Sequence, residues 1–203
     1  MKLVVGLGNP GPEYADTRHN VGFRIVEHLA ERHAIALRLD RRVEGRLGEG
    51  TIRGVRAALL LPLTYMNRSG RAVAASLEER PLVEVGADLL VVYDDLDLPF
   101  GRLRIRPGGG AGGHRGLADI QARLGRSDFP RLRFGIGRPP EGLEGVEHVL
   151  APFDPSEAEA LAPRLALAAD AVEAVLCEGV AVAMNRFNRD PEAPQPGSAP
   201  EVR

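Results

Sequence analysis

The chain has 203 residues, 44% of them hydrophobic, no Trp and a formal net charge of -2. That length suits one α/β domain with a full core and is short for two. The charge balance excludes a uniformly basic nucleic-acid binder, a single cysteine (Cys177) excludes an internal disulfide framework, and neither a membrane-length apolar span nor a charged-then-apolar leader is present, so a cytoplasmic protein is expected.

In chain order, residues 2–8 read as a buried parallel strand. Its carboxyl end leads into Gly6-Leu7-Gly8-Asn9-Pro10-Gly11-Pro12-Glu13-Tyr14 and Thr17-Arg18-His19-Asn20. Open α/β sheets place ligands at this end of their strands, so Asn9 and His19 are expected beside a site. The glycines formally match a dinucleotide-binding fingerprint. Pro10 and Pro12 argue against it, because both lack the N–H that would cradle pyrophosphate and both favour an extended turn. A helix is expected over 18–33, capped by Asp16 or Thr17.

A hairpin follows over 43–52 and 55–61, turning at Arg53-Gly54. A loop ends at Asn67, and a helix over 68–79 carries Val73 and Leu77 on one face. Residues 88–93 read as a second buried strand. Residues 102–106 alternate polar and apolar as a half-exposed strand with Arg104 and Arg106 on one side. A loop over 108–113 holds five glycines in six residues. Beyond it come a short helix over 116–124, a strand over 132–137 and an amphipathic helix over 156–177 capped by Ser156. Residues 191–203 carry four prolines and read as a disordered tail, leaving one folded unit over 1–190.

The near-neutral total hides an uneven distribution. Residues 102–138 hold nine arginines against Asp119 and Asp128, whereas 141–178 hold nine acidic residues and only Arg164. One basic face is implied, with a merely solvated arginine-rich surface as the plain alternative.

Three loops bring polar side chains to strand ends: Asn9 with His19, Thr64-Tyr65-Met66-Asn67, and Asp94-Asp95-x-Asp97. A histidine beside a carboxylate suits general-base activation of water, and asparagine amides can orient a carbonyl or an oxyanion. His19 with Asp94 is the expected pair. Structural roles compete: His19 could bond a loop carbonyl, Asn67 could cap the next helix, and the aspartates could be turn residues. No serine elbow, Cys/His ligand spacing or Walker-type motif is present. His28, His33 and His148 read as structural or surface residues.

Taken together, these segments resemble the bacterial peptidyl-tRNA hydrolases. The resemblance rests on six ordered blocks: Val5 to Gly11 with Tyr14, Thr17 to Gly22, Pro62 to Gly70, Asp94 to Pro99, Gly108 to Leu117 and Arg131 to Gly137. It implies a single-domain α/β sandwich around a central mixed, twisted sheet flanked by helices, monomeric, with no cofactor and no metal. It implies hydrolysis of the ester joining a peptide to tRNA, with peptidyl-tRNA as the partner and no membrane. On this chain the base falls on His19 and its orienting carboxylate on Asp94. Asn9, Tyr14, Asn20, Tyr65, Met66, Asn67 and His114 fall at substrate-binding positions, and Arg104, Arg106, Arg115 and Arg133 at tRNA-binding positions. Loop 108–113 resembles a mobile gate. Where many relatives have Asn after the loop histidine, this chain has Arg115, which suits a phosphate contact and no catalytic part. Two rivals remain: an RNA-binding homologue without catalysis, and a nucleotide-dependent oxidoreductase using Gly6 to Gly11.

Overall fold

The computed structural model describes residues 1–80 and 84–189. The expected tail over 191–203 lies outside the described residues. The strands are β1 (Lys2–Gly6), β2 (Arg38–Asp40), β3 (Gly45–Ile52), β4 (Val55–Pro62), β5 (Leu89–Asp95), β6 (Leu103–Arg106) and β7 (Arg131–Gly135). The helices are α1 (Val21–Arg32), α2 (Ser69–Glu79), α3 (Val85–Asp88), α4 (Arg115–Leu124), α5 (Gly145–Leu150), α6 (Pro155–Glu178) and α7 (Val180–Phe187).

One seven-stranded sheet runs β2-β3-β4-β1-β5-β7-β6. Its centre, β4-β1-β5-β7, is parallel, and antiparallel pairs flank it on both sides. The central strands are covered on both faces, which is why they are aliphatic without alternation: Leu59, Leu60 and Leu61 are all fully buried. On one face Val4, Leu90, Val92 and Leu132 pack against α1 and α6 through Ile25, Val26, Leu29, Leu165 and Val172. On the other, Val5, Leu60 and Val91 pack against Ala72 and Val73 of α2 and Leu117 and Ile120 of α4. The result is the expected helix-sheet-helix sandwich. Truncating any one of these leucines to alanine would cost about 2–5 kcal/mol.

The hairpin turns where expected. Arg53 and Gly54 both have positive φ, 46° and 89°, the requirement of a two-residue turn whose twist matches its strands. Several boundaries differ from the sequence reading, each for a physical reason. The helix expected from residue 18 begins as a 3-10 turn over Arg18–Asn20 before α1, and Thr17 does not cap it: its hydroxyl donates to the Tyr14 carbonyl. The last long helix is capped by Asp154, not Ser156, because Pro155 takes the first helical position and Asp154 N–H donates to Glu157. Four short elements, β2, α3, α5 and α7, were not anticipated. Asp94 lies within β5 and not in the loop beyond it.

Backbone proximity sets the site. A methyl at Gly22 would lie 2.5 Å from the carbonyl oxygens of both Leu7 and Val92, and one at Gly6 would lie 2.4 Å from the Gly22 carbonyl. These glycines let the start of α1 sit flush on β1 and β5, which carries His19 to the end of β5. The dinucleotide-like glycines therefore serve packing: Gly8 lies against the Phe23 ring, and the chain beyond Gly11 enters a 3-10 turn over Pro12–Tyr14 instead of a helix.

Candidate active site

His19 reaches Asp94 from across 75 residues of sequence, its Nδ1 lying 2.8 and 2.9 Å from the two carboxylate oxygens. A ring nitrogen so placed donates its proton, which leaves Nε2 of the neutral ring as an acceptor. Asp94 receives a second imidazole: His114 Nε2 lies 3.1 Å from Oδ1. His114 stands at the N-cap of α4, where its Nδ1 accepts the Leu117 N–H at 3.2 Å. That bond requires a bare Nδ1, so His114 is held as the neutral Nε2–H form and donates to Asp94. The two rings on one carboxylate thus have opposite tautomers. Burial alone would raise the Asp94 pKa, but His19, through its hydrogen bond and the charge it gains on taking a proton, together with the N–H of His114, more than offsets it and holds the carboxyl far below its usual range. Asp94 is an anion at any working pH.

The amides are also locked by the main chain. Asn20 accepts the Asn9 N–H through Oδ1 at 2.8 Å and donates through Nδ2 to the Asn9 carbonyl at 2.9 Å. Asn9 Oδ1 in turn accepts the Met66 N–H at 2.8 Å. The acceptor end of the Asn9 amide is therefore occupied, and its NH2 end is the one available to a ligand. Asn67 differs: it is exposed on the 3-10 turn Met66–Arg68 and makes no capping bond to α2. Met66 is seated by Gly116, where a Cβ would come within 2.6 Å of its sulfur.

These groups open on a groove of about 1100 Å³. Asn9, His19, Asp94, Met66, Asn67 and His114 meet along it, and Tyr65, Arg106, Arg115 and Arg133 border it. Three expected residues lie elsewhere. Asn20 is buried, holds the Asn9 main chain and does not line the groove. Tyr14 sits on its 3-10 turn away from the groove lining. Arg104 is set back from the groove but shares a sheet face with its cross-strand partner Arg133, as Arg106 does with Arg131. Arg133 pairs with Asp95.

Sequence reasoning missed two parts of the wall. One is α5, whose Val146, Val149 and Leu150 line the groove. It is held by His148 Nε2, which bonds the Ile136 carbonyl at 3.2 Å. Arg18, buried next to His19, anchors the segment after α5 by donating to the Pro152 carbonyl at 2.6 Å and to Glu157 at 2.7 Å. The other is Arg131, under loop 108–113. The motif that could have flagged it is Arg131-Leu132-Arg133, where alternation puts both arginines on one face.

The ligand atoms of His19, Asp94 and His114 lie within 4.8 Å of one another, close enough to hold a metal ion, a grouping that sequence spacing did not disclose. Their donor hydrogens, however, already point at the carboxylate in this arrangement.

A single-sheet α/β protein that aims an imidazole–carboxylate pair and an amide donor into one open groove belongs, by class, with hydrolases that activate water. The comparisons narrow that class. The peptidyl-tRNA hydrolase family model matches residues 3–195. A peptidyl-tRNA hydrolase from Chloroflexus aggregans is 53% identical over 188 residues, covering 93% of this chain and 99% of its own. One from Symbiobacterium thermophilum is 50% identical over 189 residues, covering 92% and 98%. The crystal structure of the Acinetobacter baumannii peptidyl-tRNA hydrolase superimposes with a TM-score of 0.86 at 40% identity, covering 93% of this chain and 94% of that one. The chain belongs to the peptidyl-tRNA hydrolase family.

Proposed function

We propose that His19 is the general base for hydrolysis of the ester in peptidyl-tRNA, the reaction that membership of this family gives the chain. The observation that carries the mechanism is the pairing of His19 Nδ1 with Asp94 at 2.8 Å, which leaves Nε2 as the acceptor on the groove side. Water gives a proton to Nε2 as its oxygen attacks the ester carbonyl. Asp94 stabilises the imidazolium that forms and keeps the ring oriented. The Asn9 NH2, its oxygen tied to Met66, donates to the carbonyl oxygen as that becomes an oxyanion. Collapse of the intermediate breaks the bond to the ribose oxygen, which takes the proton back from His19.

Asn67, exposed and with neither end of its amide bonded among the described residues, pairs with the peptide main chain, whose N–H and C=O groups are the same in every sequence. Met66, Val146 and Val149 give the side chains an apolar wall. Arg104, Arg106 and Arg133 hold phosphates from one sheet face, and Arg115 adds a cation at the N-terminus of α4. Such contacts position RNA without reading its sequence. The reaction needs water, a base and amide donors, so the reading makes the enzyme independent of metal and cofactor, and it is taken as cytoplasmic and monomeric. Among the described residues no helix is long and apolar enough to cross a membrane.

The test is incubation with N-acetyl-aminoacyl-tRNA beside unblocked aminoacyl-tRNA. Selective cleavage of the blocked ester, undiminished after chelation, is expected. Cleavage of both or neither refutes the reading. In Arg104→Ala with Arg106→Ala, tRNA binding should weaken and the slope of log affinity against log salt should fall by about 2, roughly one per lost phosphate contact.

A further inference from the structure

Arg131 borders the groove, yet it is 1% exposed, and among the described residues no carboxylate pairs with it. Its guanidinium donates to the Gly110 carbonyl at 3.0 Å and to the Ser127 carbonyl at 2.8 Å, and its Nε is buried without a partner. The Phe129 ring lies 5.1 Å away. A buried guanidinium met by neutral groups alone, the two carbonyls, the Phe129 ring and the Tyr93 hydroxyl, keeps its charge without a counter-anion, a costly arrangement for a residue with no further task.

What covers Arg131 is loop 108–113. The loop is tied down at few points: Gly109 N–H donates to Ser127, Gln121 donates to the Gly109 carbonyl, and Arg131 holds Gly110. Gly109, Gly112 and Gly113 have φ of 131°, 57° and 81°, and added side chains there would meet nothing within 4 Å, so the loop packs only through Gly108, against Ser127 and Asp128, and through Ala111. Arg131 is the charged side chain in this set of ties, and it also holds Ser127, the partner of the Gly109 amide. Its cross-strand neighbour is the exposed Arg106, and Arg133 follows on the same sheet face.

We propose that Arg131 is the latch of loop 108–113: an RNA phosphate drawn to Arg106 and Arg133 competes with the Gly110 carbonyl for its guanidinium, so RNA binding lifts the loop. The proposal rests on assigning the arginine face to tRNA phosphate. An anionic acceptor bonds a guanidinium more strongly than a neutral carbonyl does, which gives the exchange its direction. Because the two acceptors compete, a loop held down weakens RNA binding by the same factor that RNA loosens the loop. The loop runs into His114, so freeing it also loosens one of the two imidazoles on Asp94.

Amide hydrogen exchange of segment 107–114 in the full chain tests this, with and without an acceptor-stem RNA hairpin ending in CCA and carrying no peptide. In wild type the hairpin should speed exchange of the Gly109 and His114 amides about tenfold. Arg131→Gln should show fast exchange without RNA and no further change with it, and Arg131→Lys should keep a reduced response. Exchange in β5 checks that each variant is folded, and the wild-type arm decides the matter if Arg131→Gln is not. The latch is overturned if the hairpin binds wild type while loop exchange stays constant or slows, or if folded Arg131→Gln exchanges like wild type. Hairpin affinity unaffected by Arg104→Ala with Arg106→Ala would instead remove the arginine face from the RNA site, and the latch with it.

Discussion

Helix α1 has a histidine before its first turn and another just past its last, and both are bonded to a carboxylate. His19 meets Asp94 at 2.8 Å and His33 meets Glu173 at 2.9 Å. Burial does not separate them, since the side-chain exposures are 12% and 2% for the first pair and 16% and 9% for the second. What differs is the remaining company. Glu173 is also bonded by Arg32 at 2.9 Å and approached by Arg53 at 3.7 Å, and it joins α1 to α6 away from the groove. Among the described residues Asp94 has only imidazoles as side-chain partners, one of them fixed as a neutral donor by a helix cap, and the other leaves a ring nitrogen for the groove. An imidazole–carboxylate pair is a structural clasp when cations complete it, and a base when one nitrogen remains for a ligand.

The contrast is broken most forcefully by truncating each histidine. His19→Ala should lower turnover of N-acetyl-aminoacyl-tRNA by about 10³–10⁴ while tRNA affinity stays within about twofold, since general-base assistance and its oriented ring are lost together. His33→Ala should leave turnover within about twofold. Wild-type turnover in the first variant would dissolve the distinction.

The carboxylates give the next effect. Asp94→Asn should lower turnover by about 10²–10⁴, because the amide offers His19 an NH2 and favours the wrong tautomer. Glu173→Gln should leave turnover unchanged and cost about 1–2 kcal/mol of stability in denaturant titration at neutral pH. Burial alone would raise the Glu173 pKa, but the bonds from His33 and Arg32 hold it below its ordinary 4.5. A carboxylate whose pKa is depressed by folding stabilises above its unfolded value and loses that contribution as pH falls through the folded one. The stability gap between wild type and Glu173→Gln should therefore close on acidification below pH 4.5, with no matching change in relative turnover. A gap independent of pH would mean the cations do not favour the ionised form.

The smallest of these effects belongs to Asn20. Asn20→Ala leaves the main-chain N–H and C=O of Asn9 unpaired, and turnover should fall about tenfold through misplacement of the Asn9 amide. A rise in KM alone would place Asn20 among the substrate contacts instead.

Much of this site is visible in the chain as written, because its parts are local. An apolar strand ending in Gly8-Asn9, a histidine ahead of an apolar helical stripe, and an aspartate closing a second apolar strand each follow from periodicity. What periodicity cannot supply is which atoms of those residues are already engaged. The free end of the Asn9 amide depends on the Met66 N–H, 57 residues away, and the tautomer of His114 on its place at the start of α4. Asn20 and Tyr14 illustrate the same limit, since proximity in sequence to His19 does not put either in the groove. The wall helix α5 is only six residues long and presents too few turns to show a stripe. Arg131 escaped because an arginine in a basic segment reads as solvated surface, and only the fold reveals that loop 108–113 lies over it.

Long-range proton–nitrogen correlation spectra of the ¹⁵N-labelled imidazoles, at a pH where both rings are neutral, test the arrangement at its centre. The account predicts that His19 carries its proton on Nδ1 with Nε2 bare, that His114 shows the opposite tautomer, and that Asp94→Asn abolishes the preference at His19. A proton on Nε2 of His19 in the wild-type enzyme would contradict it.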